Sequence, residues 1–85
     1  MMAKDVVVTV RYKGFAQDME LPVRLGIGQL CGKILETLKQ VDNHTFCSFE
    51  RILLLHDGFC LADEAATLED YGIQTGYFLD IHQEA

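Results

Sequence analysis

The feature that most constrains the fold is a change of apolar period along the chain. From Lys4 to Tyr12 the residues alternate: Val6, Val8, Val10 and Tyr12 fall on one side, Val7, Thr9 and Arg11 on the other. A β-branched run with period two predicts a strand. Gln17 to Leu21 alternates again, with Met19 and Leu21 inward and Asp18 and Glu20 outward. Lys13-Gly14-Phe15-Ala16 is the expected turn between them, with Gly14 free to take a positive φ. Pro22 has no N–H for a ladder and should end the second strand. Then the period lengthens. Ile27, Leu30, Cys31, Ile34, Leu35, Leu38 and Val41 make the stripe of one amphipathic helix. Gly32 interrupts it at a cost of roughly 1 kcal/mol against Ala.

After a polar loop beginning at Asp42-Asn43-His44-Thr45, a second β run follows from Arg51 to His56. Asp57-Gly58 is the preferred pair for a tight hairpin turn, so Phe59 to Ala62 should return as a short strand. Thr67 to Ile73 reads as a single helical turn capped by Thr67. Gly76 precedes a last strand, Tyr77 to His82, with Leu79 and Ile81 inward and Phe78, Asp80 and His82 outward. The order is ββαββ, a helical turn, then β. One helix stripe can cover one face of one sheet, which gives a two-layer α+β domain over residues 1–85. The first and last strands should be parallel neighbours at its centre.

Composition narrows the function. At 85 residues the chain has room for one small core and little for a deep cleft. Seven Lys and Arg against 13 Asp and Glu give a net charge of −6, and the basic residues form no stripe. Phosphate recognition leans on clustered cations, so nucleic acid and anionic membrane surfaces are poor partners. Cys31, Cys47 and Cys60 are odd in number and form no CxxC pair. With no signal sequence and no run of about 20 apolar residues, a cytoplasmic setting with reduced thiols is expected.

Thr67-Leu68-Glu69-Asp70-Tyr71-Gly72-Ile73-Gln74-Thr75-Gly76, together with the element order, resembles the ubiquitin-like β-grasp. Tyr71 has a physical task in such a loop: its ring packs under the turn and its hydroxyl holds loop backbone. Leu21-Pro22-Val23-Arg24-Leu25-Gly26-Ile27-Gly28-Gln29-Leu30 and Asp70 to Leu79 resemble the YukD/EsaB group, the small ubiquitin-like proteins of bacterial type VII secretion systems. That resemblance implies a mixed five-stranded sheet packed on one helix. It also implies an accessory or regulatory role and a protein partner from the secretion machinery. Ubiquitin-like carriers are activated at a C-terminal glycine, and a flexible Gly-Gly enters a channel that side chains would block. His82-Gln83-Glu84-Ala85 offers no such glycine. Conjugation or sulfur transfer is therefore the disfavoured alternative.

Other sharp patterns have blander explanations. Gly26-x-Gly28-x-x-x-Gly32 is one residue too long for a dinucleotide fingerprint and lacks the flanking βαβ unit, so a flexible start to the helix is preferred. Cys31 belongs to the helix stripe and is expected in the core. His44 beside Cys47 has no third group to orient a nucleophile. His44, Cys47, His56, Cys60 and His82 are too dispersed to converge on a metal. His56-Asp57 is a turn flank rather than an acid–base pair. No enzyme activity and no cofactor are expected.

The informative anomaly is Ile52-Leu53-Leu54-Leu55. A sheet covered on one face turns alternate side chains to water. With Ile52 and Leu54 inward, Leu53 and Leu55 face out, on the same side as Phe78 and His82 and, by the hairpin register, Cys60. These five residues are the expected partner-binding patch, since contiguous exposed apolar surface marks interaction sites. The competing expectation is that residues 42–50 fold over it. A homodimer through the same face is a further possibility.

Overall fold

The computed structural model describes residues 5–83. Lys4, where the first alternating run opens, and Glu84 and Ala85 lie outside that range. Strands β1 (Asp5–Tyr12) and β2 (Phe15–Pro22) pair antiparallel from Asp5↔Pro22 to Tyr12↔Phe15. Their loop is only Lys13-Gly14, and Phe15 and Ala16 are already strand. The left-handed backbone falls on Lys13, at φ 52°, and not on Gly14. A two-residue hairpin needs positive φ at its first central residue to match the strand twist, whichever side chain stands there.

Helix α1 (Ile27–Val41) has the bounds the stripe predicts and buries Ile27, Leu30, Ile34, Leu35 and Leu38. Two stripe residues fall short of the core. Cys31 packs against it half-buried, and Val41, at the last turn, is 51% exposed. No side chain caps the start of α1. Instead the Ile27 N–H donates to the Ala66 carbonyl at 2.8 Å and the Gly28 N–H to the Glu64 carbonyl at 3.1 Å. The loop backbone thus satisfies amides that a helix N-terminus leaves open. Gly26 and Gly28 are small because that loop lies on them. A Cβ on Gly26 would sit 3.1 Å from the Glu64 carbonyl oxygen, and one on Gly28 would sit 2.8 Å from Glu64 Oε1. A tight packing contact, not a flexible helix start, explains the two glycines. Of the three glycines at this end of the helix, Gly32 faces open space.

The segment read as polar loop contains a second helix, α2 (Asn43–Phe46). Asp42 caps it, accepting from the Thr45 N–H at 3.2 Å and the Thr45 hydroxyl at 2.7 Å. These hydrogen bonds hold the Asp42 carboxyl below the ordinary aspartate range. Phe46 and Phe49 then turn inward and meet Tyr12 at centroid separations of 5.6 and 5.2 Å, and Phe46 meets Phe15 at 5.2 Å. Since Tyr12 and Phe15 lie on the helix side of the sheet, residues 42–50 close one end of the core and leave the opposite face alone.

Strand β3 (Ile52–His56) turns through Asp57-Gly58, both at positive φ (51° and 80°), into β4 (Phe59–Cys60). The return strand stops two residues before the expected Ala62, because Leu61 is buried and the chain leaves for the helix N-terminus. Thr67 and Asp70 cap the next turn reciprocally. The Thr67 N–H donates to Asp70 Oδ2 at 3.0 Å and the Asp70 N–H to Thr67 Oγ1 at 3.2 Å. Tyr71 does what its position predicts, its hydroxyl accepting the Asp63 N–H at 3.1 Å. Strand β5 (Phe78–Gln83) completes a five-stranded sheet ordered β2-β1-β5-β3-β4. β1 and β5 are its parallel central pair. Val8, Val10, Leu30, Leu38, Phe46, Leu54, Leu68 and Leu79 form the centre of the core, each at 1% exposure or less.

Candidate functional site

Among the described residues the sheet has helix on one face only, and its other face carries all five residues expected from sequence. Register sets the layout. Leu53 lies opposite His82 across β3 and β5, Leu55 lies opposite both Asp80 and Cys60, and Phe78 lies opposite Thr9 on β1. Leu53, Leu55 and Cys60 are half-buried, while Phe78 is 48% exposed and His82 is exposed. Leu53, Leu55 and Cys60 form one apolar strip. Phe78 stands across Asp80 from it.

The surface is not the continuous apolar patch the alternation suggests. Asp80, between Phe78 and His82 on β5, is held by Arg11 from β1 through Nε to Oδ1 at 2.8 Å and Nη2 to Oδ2 at 3.2 Å. The same guanidinium lies 4.4 Å from the centre of the Phe78 ring. A forked ion pair therefore divides the face and fixes its most prominent aromatic by cation–π contact. Alternation puts Arg11 on the outer face, but its partner is 69 residues away. Only the parallel β1–β5 register brings them together. Beyond Arg11 the face continues over Val7, 42% exposed, to Asp5, Asp18 and Glu20 on β1 and β2. The Thr9 hydroxyl donates to Asp18 Oδ1 at 2.6 Å and orients that carboxylate.

Elsewhere the titratable groups do not converge. Among the described residues no group of three His, Cys, Asp or Glu could hold a metal, and Cys31, Cys47 and Cys60 are unbridged. The Cys47 thiol contacts the His44 backbone carbonyl at 3.8 Å, not its imidazole. His56 stacks on Tyr77 at 4.7 Å, and Asp57 is a turn residue. A groove of about 360 Å³ runs between α1 and β3, bordered by Cys31, Leu35 and Leu53. Among the described residues no helix is long and apolar enough to cross a membrane.

No protein-family model matches the chain, and no curated protein does. Solved structures do. This sheet order around one main helix and a short one, with a capped turn before the last strand, is the ubiquitin-like β-grasp fold. Its structural neighbours are ubiquitin-like domains. The ubiquitin-like domain of the Mycobacterium tuberculosis type VII secretion system protein EccD1 superposes with a TM-score of 0.75 at 17% identity, over 92% of this chain and 97% of that one. The ubiquitin-like domain of Arabidopsis thaliana At2g32350 gives 0.68 at 20% identity, over 96% and 80%. The ubiquitin of Caldiarchaeum subterraneum gives 0.66 at 13% identity, over 96% of each.

Proposed function

We propose that the chain is a non-enzymatic ubiquitin-like interaction module. On this reading it docks a protein partner through the open face of its sheet, in the cytoplasm, as an accessory or regulatory component of a bacterial type VII secretion system. The observation that carries the docking reading is the row Leu53, Leu55 and Cys60 with Phe78 nearby, on a face that no described helix or loop covers. Apolar side chains left on a solvated sheet face are what a protein partner would bury. The secretion context draws support from the likeness to the EccD1 domain and from the resemblance of residues 21–30 and 70–79 to the YukD/EsaB group.

The test places a photo-crosslinking residue at position 55 or, as a control on the helix surface, at position 36. The cross-linked species are then identified by mass spectrometry in cells that make the protein. A secretion-machine component captured from position 55 and not from position 36 is the expected outcome. Incubation with an E1-like activating enzyme and ATP addresses the carrier alternative. An adenylate, thiocarboxylate or isopeptide adduct would overturn the non-conjugating reading.

A further inference from the structure

The open face is electrostatically lopsided, and that asymmetry bears on what covers it. Asp5, Asp18 and Glu20 stand together on the outer side of β1 and β2 around Val7. The two cations of that hairpin are already engaged: Arg11 with Asp80 and Phe78, and Lys13 with its Nζ 5.4 Å from the centre of the Tyr12 ring. The opposite side, on β3 and β4, is the uncharged strip of Leu53, Leu55 and Cys60. Thus one face offers an apolar side, a neutralised ion pair beneath an aromatic ring, and an acidic side.

We infer that the occupant of this face is a protein segment that carries Lys or Arg at one end and apolar side chains at the other. Its basic groups meet Asp18 and Glu20 while its apolar groups cover Leu53 and Leu55. The inference rests on the docking reading and names the partner's chemistry. A second copy of this chain is a poor fit, since each copy brings a net charge of −6. Charge complementarity would also speed encounter and reject acidic competitors.

The geometry sets the spacing. β2 and β3 are three strand intervals apart, about 14 Å at 4.8 Å each. A segment crossing the sheet in extended form covers that distance in about four residues at roughly 3.3 Å per residue. A helix needs about nine residues at 1.5 Å each.

A library of random 16-residue peptides displayed on phage, selected on the immobilised chain, tests the inference. Affinities of the winners are measured by fluorescence anisotropy in low and high salt. The expected winners pair basic and apolar residues at one of those two spacings. They lose at least about tenfold in affinity on Asp18→Lys/Glu20→Lys but under about threefold on Glu36→Lys/Glu50→Lys, which changes net charge equally away from this face. Leu55→Ser removes the apolar contact without altering charge and should also weaken them. Winners sensitive to Leu55→Ser but indifferent to reversal at Asp18 and Glu20 overturn the inference and leave the docking reading standing. Winners indifferent to both overturn the two together. A dimer in sedimentation that dissociates on Leu55→Ser would assign the face to a second copy and overturn the inference.

Discussion

Two glycines one helical turn apart should respond to alanine with opposite signs. Gly32 lies inside α1 with nothing within 4 Å of an added Cβ. Gly32→Ala therefore gains helix propensity, about 0.8–1 kcal/mol. Gly28 is the second residue of the same helix, under the loop that caps it. Its added Cβ would lie 2.8 Å from Glu64 Oε1 and 3.2 Å from Glu64 Cβ. The carboxylate end can swing aside, because that side chain is 68% exposed. The Glu64 Cβ cannot move without the backbone whose carbonyl accepts the Gly28 N–H at 3.1 Å. Overpacking of this kind costs about 1–3 kcal/mol, and a surface loop that yields by a few tenths of an ångström belongs at the low end. The propensity gain belongs to helix interiors and is small in the first turn, where Gly28 sits. So Gly28→Ala should lose about 1 kcal/mol, placing the two variants about 2 kcal/mol apart.

For a domain of this size that difference separates the melting temperatures by about 8–16 °C. The chain has no tryptophan, so far-UV circular dichroism is the suitable probe. A double-mutant cycle isolates the contact: Glu64→Gly removes the opposing Cβ and should restore about 1 kcal/mol to Gly28→Ala. If Gly28→Ala stabilises as much as Gly32→Ala, or if the cycle shows no coupling, then residues 63–66 do not rest on the helix and its N-terminus is capped some other way.

Three further outcomes follow from the same structure. Leu54→Ala should cost about 2–5 kcal/mol in urea unfolding, because Leu54 is fully buried, and Leu55→Ala less than about 1; equal losses would place the β3 register one residue off. Tyr71→Phe should cost about 0.5–1.5 kcal/mol through the lost acceptor for the Asp63 amide, and unchanged stability would refute that role. The Asp42 carboxyl ionises below its unfolded value, so its contribution is complete above the unfolded pKa and is lost as pH falls through the folded one. The Thr45 amide resonance should titrate with a midpoint below the ordinary aspartate value, and a midpoint at or above that value would remove the cap from the account.

What sequence discloses here is what short-range periodicity encodes. α1 keeps its expected bounds because its stripe runs over four turns, and the inward and outward sides of β3 and β5 follow from strict alternation. The Thr67 turn is legible because both of its capping groups lie within four residues. α2 is too short to show a period. Its signals were an Asp–x–x–Thr cap and two phenylalanines in a stretch otherwise polar. The loop over Gly26 and Gly28, and the pairing of Arg11 with Asp80, depend on contacts between distant segments. No local pattern could supply their register.

The Arg11–Asp80 pair matters more for recognition than for stability. Both side chains are substantially exposed, 44% and 38%, and such pairs contribute only about 0–1 kcal/mol. Their placement has a larger consequence. Asp80 would otherwise be an unanswered negative charge between Phe78 and His82, opposite Leu55, where apolar docking would have to strip its water. Arg11 answers that charge from within the fold and fixes the Phe78 ring at the same time. An aromatic already held in place loses less freedom on binding, so less of the contact energy is spent ordering it. It also leaves Arg11 unavailable to Asp18 and Glu20. The ion pair that keeps the centre of the face compatible with docking thereby leaves its β2 side acidic, and on the docking reading that is the side a basic partner must meet.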